Sequence, residues 1–330
     1  MIGHLKSWIA THLPRSSALP IIRLGAFLTQ QHSLDDDAHH VFSEHGYHLL
    51  KKHFYLPIPE AADLENPFAR NCSELVGLNM NEADSLNRLE KVFPPYAREF
   101  RETFPVHGDG SSRNFYLING SFMAIDAQVY YGLIRQHRPK RIVEVGAGNS
   151  TRVAAEAVRR NFAEEGRKPD LWAIDPYPPD YVRDLEASGA IQLISERVQD
   201  VSMDVFTRLE SGDILFIDST HVLRQGGDVH LEYCEILPRL NPGVLVHIHD
   251  ISLPKPYPKV YFDRRLYWNE QYLLQAFLAF NSRFEVIWPG NYMMIKHAER
   301  VCAVFPEYHE MRKVFPQSEP SSFWIRVKPS

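Results

Sequence analysis

Cysteine is scarce in this chain of 330 residues: Cys72, Cys234 and Cys302 lie far apart and form no CxxC pair. An odd, scattered set excludes a disulfide framework and a structural zinc site, and it sets the expectation of a reducing, cytoplasmic setting. Long apolar runs are missing too. The opening MIGHLKSWIATHLPRSSALPIIRLGAFL has apolar patches, but Pro14, Arg15, Pro20 and Arg23 interrupt them. Neither a bilayer-spanning helix nor a secretion signal is expected there. Charge of one sign is not in large excess; the formal net charge is −5. Such a surface has no general attraction for nucleic acid or an anionic membrane, so neither partner is expected. Internal repeats and low-complexity segments are absent as well. What remains is a 44% hydrophobic chain, long enough for one large core and a substantial extension.

The most informative stretch runs from Arg141 to Thr151, RIVEVGAGNST. Ile142, Val143 and Val145 suit a central parallel strand, and Glu144 puts a carboxylate near its end. Gly146 and Gly148 let backbone approach a ligand. Asn149, Ser150 and Thr151 can cap a following helix whose free N–H groups face the same pocket. A dinucleotide fingerprint needs a third glycine, and Arg152 or Val153 stands there instead, which disfavours a pyrophosphate binder. Downstream, LWAID ends at Asp175, an acid placed either to accept ribose hydroxyls or to serve the turn before Pro176. Ala190 to Ile194 reads as a third strand.

Two further runs carry the chemistry. GDILFID ends at Asp218 and is followed by His221; VLVHIHD ends at His249 and Asp250. In a doubly wound sheet the carboxyl ends of neighbouring strands share one crevice, so these four residues are expected to converge. His221 can take a proton from a hydroxyl, or it can be a structural histidine satisfied by Asp218. Asp218, His249 and Asp250 are candidate ligands of a divalent cation. Strand alternation places His247 and His249 on one face and Ile248 and Asp250 on the other. Imidazole prefers transition metals to hard cations, so the expectation is manganese, iron or no metal, with magnesium in doubt. Phe284 to Trp288 and Tyr292 to Lys296 read as an antiparallel hairpin closing the sheet.

The acidic-x-Gly-x-Gly segment resembles motif I of class I S-adenosylmethionine (SAM)-dependent methyltransferases, and residues 119 to 297 as a whole resemble that family. The resemblance implies that the glycines pass the methionine part of the cofactor, that Glu144 lies near its amino group, and that Gln199 and Asp200 lie near its adenine. The FID-x-x-H and HD segments resemble the macrocin- and mycinamicin-type sugar O-methyltransferases, where an Asp-x-x-His segment supplies a metal ligand and a base and an acidic pair ends the next strand. His249 departs from that pair.

The expected fold class is α/β: a doubly wound, Rossmann-like, seven-stranded and mostly parallel sheet with a C-terminal antiparallel hairpin and an N-terminal α/β extension. The expected division is an extension at 1–118 acting as a substrate cap or dimerisation region, a methyltransferase domain at 119–300, and a tail at 301–330. A lid at 251–270 carries Tyr257, Tyr261, Arg264, Arg265 and Trp268, placed either to cover a substrate or to pack. Transfer of a methyl group to a hydroxyl of a small molecule is the expected activity, and the chain is a candidate homo-oligomer and a candidate bacterial enzyme. N-methylation, an NAD-dependent oxidoreductase and a non-catalytic SAM-binding module are the alternatives.

Overall fold

A computed structural model describes residues 14–32, 35–110 and 114–329. It divides into two compact units, Met1–Pro59 and Glu60–Ser330. The first contains helices α1 (Arg15–Gln31) and α2 (Asp35–Glu44), then irregular chain. The opening residues 1–13, on which part of the leader expectation rests, fall outside the described residues. No strand forms between Tyr47 and Pro59. Pro57 and Pro59 have no N–H to give to a ladder, and no partner strand pairs there. Among the described residues no strand precedes Arg141, so the expected α/β character of the extension is corrected to helical. No helix among them is long and apolar enough to cross a membrane.

The second unit begins with short helical turns at Ala61–Leu64 and Pro67–Arg70; a further turn at Glu82–Asn87 and a π-helical turn at Arg88–Val92 then lead directly into α3 (Phe93–Thr103). Pro94 and Pro95 occupy the first turn of α3, where a missing N–H does no harm. Helix α4 (Asp126–His137), almost wholly buried, then delivers the chain to the sheet.

Seven strands form that sheet: β1 (Arg141–Val145), β2 (Asp170–Ile174), β3 (Gln192–Ile194), β4 (Ile214–Ile217), β5 (Leu245–Ile248), β6 (Phe284–Pro289) and β7 (Phe323–Val327). Their order is β3-β2-β1-β4-β5-β7-β6. Strands β1 to β5 run parallel, and β7 is antiparallel to both β5 and β6. Alternation along each strand splits the core between the two faces. Ile142, Ile214 and Phe216 pack with α4 and with helix α5 (Asn149–Glu165), whereas Val143, Val145, Leu215 and Ile217 pack with Phe206, Tyr233 and Leu274.

The antiparallel end exists, but its hairpin needs one correction. Tyr292 to Lys296 is helical, lying within α7 (Gly290–Val304), and the partner of β6 comes from the tail as β7. A short apolar run such as YMMIK does not distinguish strand from helix by periodicity. Here Met293 and Met294 are buried from a helix, while Phe323, Trp324, Ile325 and Val327 fill the slot between β5 and β6. Helix α6 (Glu270–Leu278), expected from its apolar spacing, follows the 251–269 segment.

Candidate active site

At the end of β1 the chain turns at Gly146, whose φ is +86°. Its N–H donates to Ile174 O at 2.9 Å, and a Cβ there would lie 2.0 Å from Asp218 O. Only glycine fits, because backbone of β4 leaves no room and the φ is left-handed. Gly148 is different. Its backbone is extended, and a Cβ would meet only the Tyr181 hydroxyl, at 3.7 Å. The fold itself tolerates a side chain there, so the bare backbone leaves open a space that a ligand can use.

Several contacts hold this loop. Gly148 N–H donates to the Thr151 hydroxyl at 3.0 Å, closing the first turn of α5, and Asn149 Nδ2 donates to Ser121 Oγ at 2.9 Å. Ser150 and Thr151 are buried. Glu144 is fully buried; Tyr130 Oη donates to its Oε1 at 2.9 Å, and its Oε2 has no hydrogen-bond partner. Burial pushes its pKa up to about 7. Asp175 accepts the N–H of Ala147 at 2.9 Å and of Tyr177 at 2.7 Å, so its carboxylate ties β2 to the glycine loop.

Across the sheet, β4 and β5 bring a second group together. One donor atom each from Asp218, His221 and Asp250 lies within 4.8 Å of the others. His221 Nε2 is 3.3 Å from Asp218 Oδ1 and 3.5 Å from Asp250 Oδ2. Its Nδ1 is 2.8 Å from Oε2 of the fully buried Glu270. Burial opposes charge on this ring, yet Asp218 and Glu270 outweigh it and raise its pKa well above the usual imidazole value. For Asp218 burial acts upward, but the His249 and His221 imidazoles hold it below the usual carboxylate value.

Backbone strain marks the same place: His221 has φ +60° and Asp250 has φ +55°. Non-glycine residues in this region are held there by their surroundings, at about 1 to 3 kcal/mol each. The turn at Asp250 explains how its carboxylate reaches His221. Strand alternation does keep His247 and His249 on one face, with ring centroids 5.3 Å apart. Beyond Ile248, however, β5 has ended, and the left-handed turn at Asp250 replaces alternation. Ser321 Oγ donates to Asp250 Oδ1 at 3.1 Å, and Asp126 accepts the backbone N–H groups of Ser321 at 2.9 Å and Ser322 at 3.0 Å.

A family model described as a methyltransferase domain matches residues 143–251, a span that opens within β1 and closes just after Asp250. An uncharacterised protein of Archaeoglobus fulgidus is 34% identical over 170 residues, covering 49% of this chain and 74% of that relative. The chain contains a methyltransferase domain. Among solved structures, the SAH-bound Podospora anserina methyltransferase PaMTH1 shares 16% identity at TM-score 0.39, with 78% of this chain and 100% of that chain covered. The plantazolicin methyltransferase BpumL in complex with SAH shares 9% identity at TM-score 0.37, covering 75% and 96%. Likeness at this level adds nothing to what the sheet order and the family match establish.

In this methyltransferase the expected cofactor residues do not all share one environment. Glu144, Gly146, Gly148, Asn149, Ser150 and Asp175 surround the β1 turn. Gln199 and Asp200 lie after β3: Gln199 Nε2 reaches Gly226 O at 3.5 Å, and exposed Asp200 accepts from Arg197 Nε at 2.7 Å and Nη2 at 3.0 Å. Of the expected metal ligands, Asp218 and Asp250 fall within the close group, whereas His249 stands beside it with Nε2 3.9 Å from Asp250 Oδ1. His221, expected as a base, takes the third corner. From the 251–270 segment, Trp268 lies with its ring centroid 4.3 Å from that of His221, and Tyr261 lies 4.6 Å from Trp268; Arg264 and Arg265 are exposed.

Sequence reasoning missed Glu270, Ser321 and Glu232. Glu232 is fully buried and accepts from Ser219 Oγ at 3.0 Å; burial, with Glu270 nearby, pushes its pKa well above the usual carboxylate value. None of the three had a motif signal, since each is distant in sequence from the groups it serves.

Proposed function

We propose that this methyltransferase acts on a hydroxyl of a small molecule, with the cofactor over the β1 and β2 ends and the acceptor between Asp218, His221 and Asp250. The observation that carries this reading is the placement of His221 Nε2, 3.3 Å from Asp218 Oδ1 and 3.5 Å from Asp250 Oδ2. Glu270 takes Nδ1, so Nε2 alone faces the cluster. The two carboxylates hold a proton on this ring, so His221 can take the proton that a hydroxyl must lose only once it has given up its own, and turnover by this route should rise with pH.

The residues present fit SAM. Glu144 Oε2 is a buried acceptor without a partner, Gly148 leaves a space that a Cβ would fill, and Asp175 stands at the neighbouring strand end. When bound, SAM supplies the electrophilic methyl group. The protein's contribution is to orient the two reactants and keep water from the reacting atoms, with Trp268 and Tyr261 set over the His221 side. Gln199 and Asp200 are the adenine-side candidates.

A second reading has its own observation. Two carboxylates and one imidazole within 4.8 Å suit a divalent cation, and the mixed donor set favours manganese or iron over magnesium. Asp218, His221 and Asp250 would hold it, with His249 close by, and it would lower the pKa of an acceptor hydroxyl. His221 cannot be ligand and base at once, because both roles use Nε2. Calorimetric titration with S-adenosylhomocysteine, followed by a hydroxyl-acceptor screen with and without Mn²⁺, tests the proposal. Failure to bind S-adenosylhomocysteine would refute it; turnover that survives chelation would leave the base reading and remove the metal.

A further inference from the structure

We propose that Glu270 is a positioning residue of this centre: it fixes a hydrogen on His221 Nδ1 and aims Nε2 at the space between Asp218 and Asp250. The inference rests on the reading of His221 given above and adds a residue to it.

Both oxygens of Glu270 are engaged, Oε2 by His221 Nδ1 at 2.8 Å and Oε1 by the Tyr233 hydroxyl at 3.1 Å, in a fully buried position. A carboxylate only accepts, so Nδ1 must donate to Glu270, and Nε2, facing Asp218 and Asp250, is the nitrogen at which a ligand or the site's own proton is exchanged. Glu270 and His221 are both buried, so the protein groups packed around them set this orientation.

The same stretch also grips the backbone. His221 O accepts the N–H of Asn269 at 3.0 Å and of Glu270 at 3.2 Å, and Asn269 Oδ1 accepts Leu223 N–H at 2.6 Å. Trp268 packs on the ring. The start of α6 therefore holds the left-handed turn at His221 through main chain, side chain and ring together. A glutamate needed only to begin a helix would not have its carboxylate turned from solvent onto an imidazole.

The test uses the full chain, needs no acceptor, and compares wild type with Glu270→Ala, Glu270→Gln and His221→Asn by imidazole ¹⁵N NMR and by titration with Mn²⁺ alone. Wild type should show a downfield, slowly exchanging Nδ1–H that disappears in His221→Asn and in Glu270→Ala. It should persist, shifted upfield, in Glu270→Gln, whose amide oxygen can still accept. Mn²⁺ affinity should fall about 10- to 100-fold in Glu270→Ala, with S-adenosylhomocysteine affinity within about twofold. A wild-type resonance that survives Glu270→Ala unchanged overturns the proposal. If Glu270→Ala does not fold, Glu270→Gln decides: no shift of the resonance overturns it equally. Wild type that binds no Mn²⁺ rejects the metal reading of the centre and leaves the Nδ1–H result to judge Glu270.

Discussion

The two halves of the crevice are built in opposite ways. On the β1 side, Glu144, Gly146, Gly148, Ser150 and Thr151 come from one continuous strand, turn and helix start, and only Asp175 is borrowed from β2. On the β4 and β5 side, the group around His221 draws on four separate segments: residues 218–221, 249–250, 268–270 and Ser321. The first half relies on a glycine that allows a left-handed turn at little cost; the second forces His221 and Asp250 into that region and pins them by contacts. A ligand cradle made of local backbone forms wherever its sequence does. A cluster of strained polar side chains forms only if the whole sheet and its tail are in place.

The sharpest way to break this comparison is Gly146→Ala. A side chain 2.0 Å from Asp218 O, at φ +86°, couples the two halves directly. We expect destabilisation of at least about 2 kcal/mol and loss of S-adenosylhomocysteine binding. Gly148→Ala, in contrast, should leave the melting temperature nearly unchanged while weakening cofactor binding. Equal effects of the two changes on stability would erase the distinction between a fold glycine and a ligand glycine.

Next in size, His221→Ala should lower turnover by about 10²- to 10⁴-fold with cofactor affinity preserved, once an acceptor is known. Undiminished turnover removes His221 from the chemistry.

The pH dependence of Glu144 separates the halves by another route. Its folded pKa is raised from 4.5 to about 7, so the protonated form stabilises the fold below the unfolded value and that stability is lost as pH rises toward 7. The stability of wild type relative to Glu144→Gln should therefore drop by about 2 to 3 kcal/mol between pH 5 and pH 8 in urea unfolding. A gap that stays constant over that range contradicts the upward shift that burial imposes on this carboxyl. The smallest effect belongs to Asp200→Asn, which breaks an exposed, solvent-screened pair and should leave the melting temperature nearly unchanged. A several-fold loss of S-adenosylhomocysteine affinity would put this carboxylate on the adenosine; unchanged affinity would confine it to Arg197.

Much of the sheet could be read from apolar runs ending in acids, because buried parallel strands demand uninterrupted Val, Ile and Leu. The β6 partner could not. FWIRV and YMMIK are both short apolar runs, and the choice between them depends on the slot beside β5. Similarly, Asp218 and His221 were legible through their spacing, whereas the exchange of His249 for His221 in the close group depended on a backbone turn after β5 ended.

The sequence by itself determined the glycine turn, the strand order's first five members and the chemical types available at their ends, since these follow from local backbone preference and the period of burial. Only the tertiary structure decided which of those groups meet. Glu270 reaches His221 and Ser321 reaches Asp250 because α6 and β7 pack onto the sheet, and a contact between residues so far apart in the chain leaves no periodic trace in the sequence.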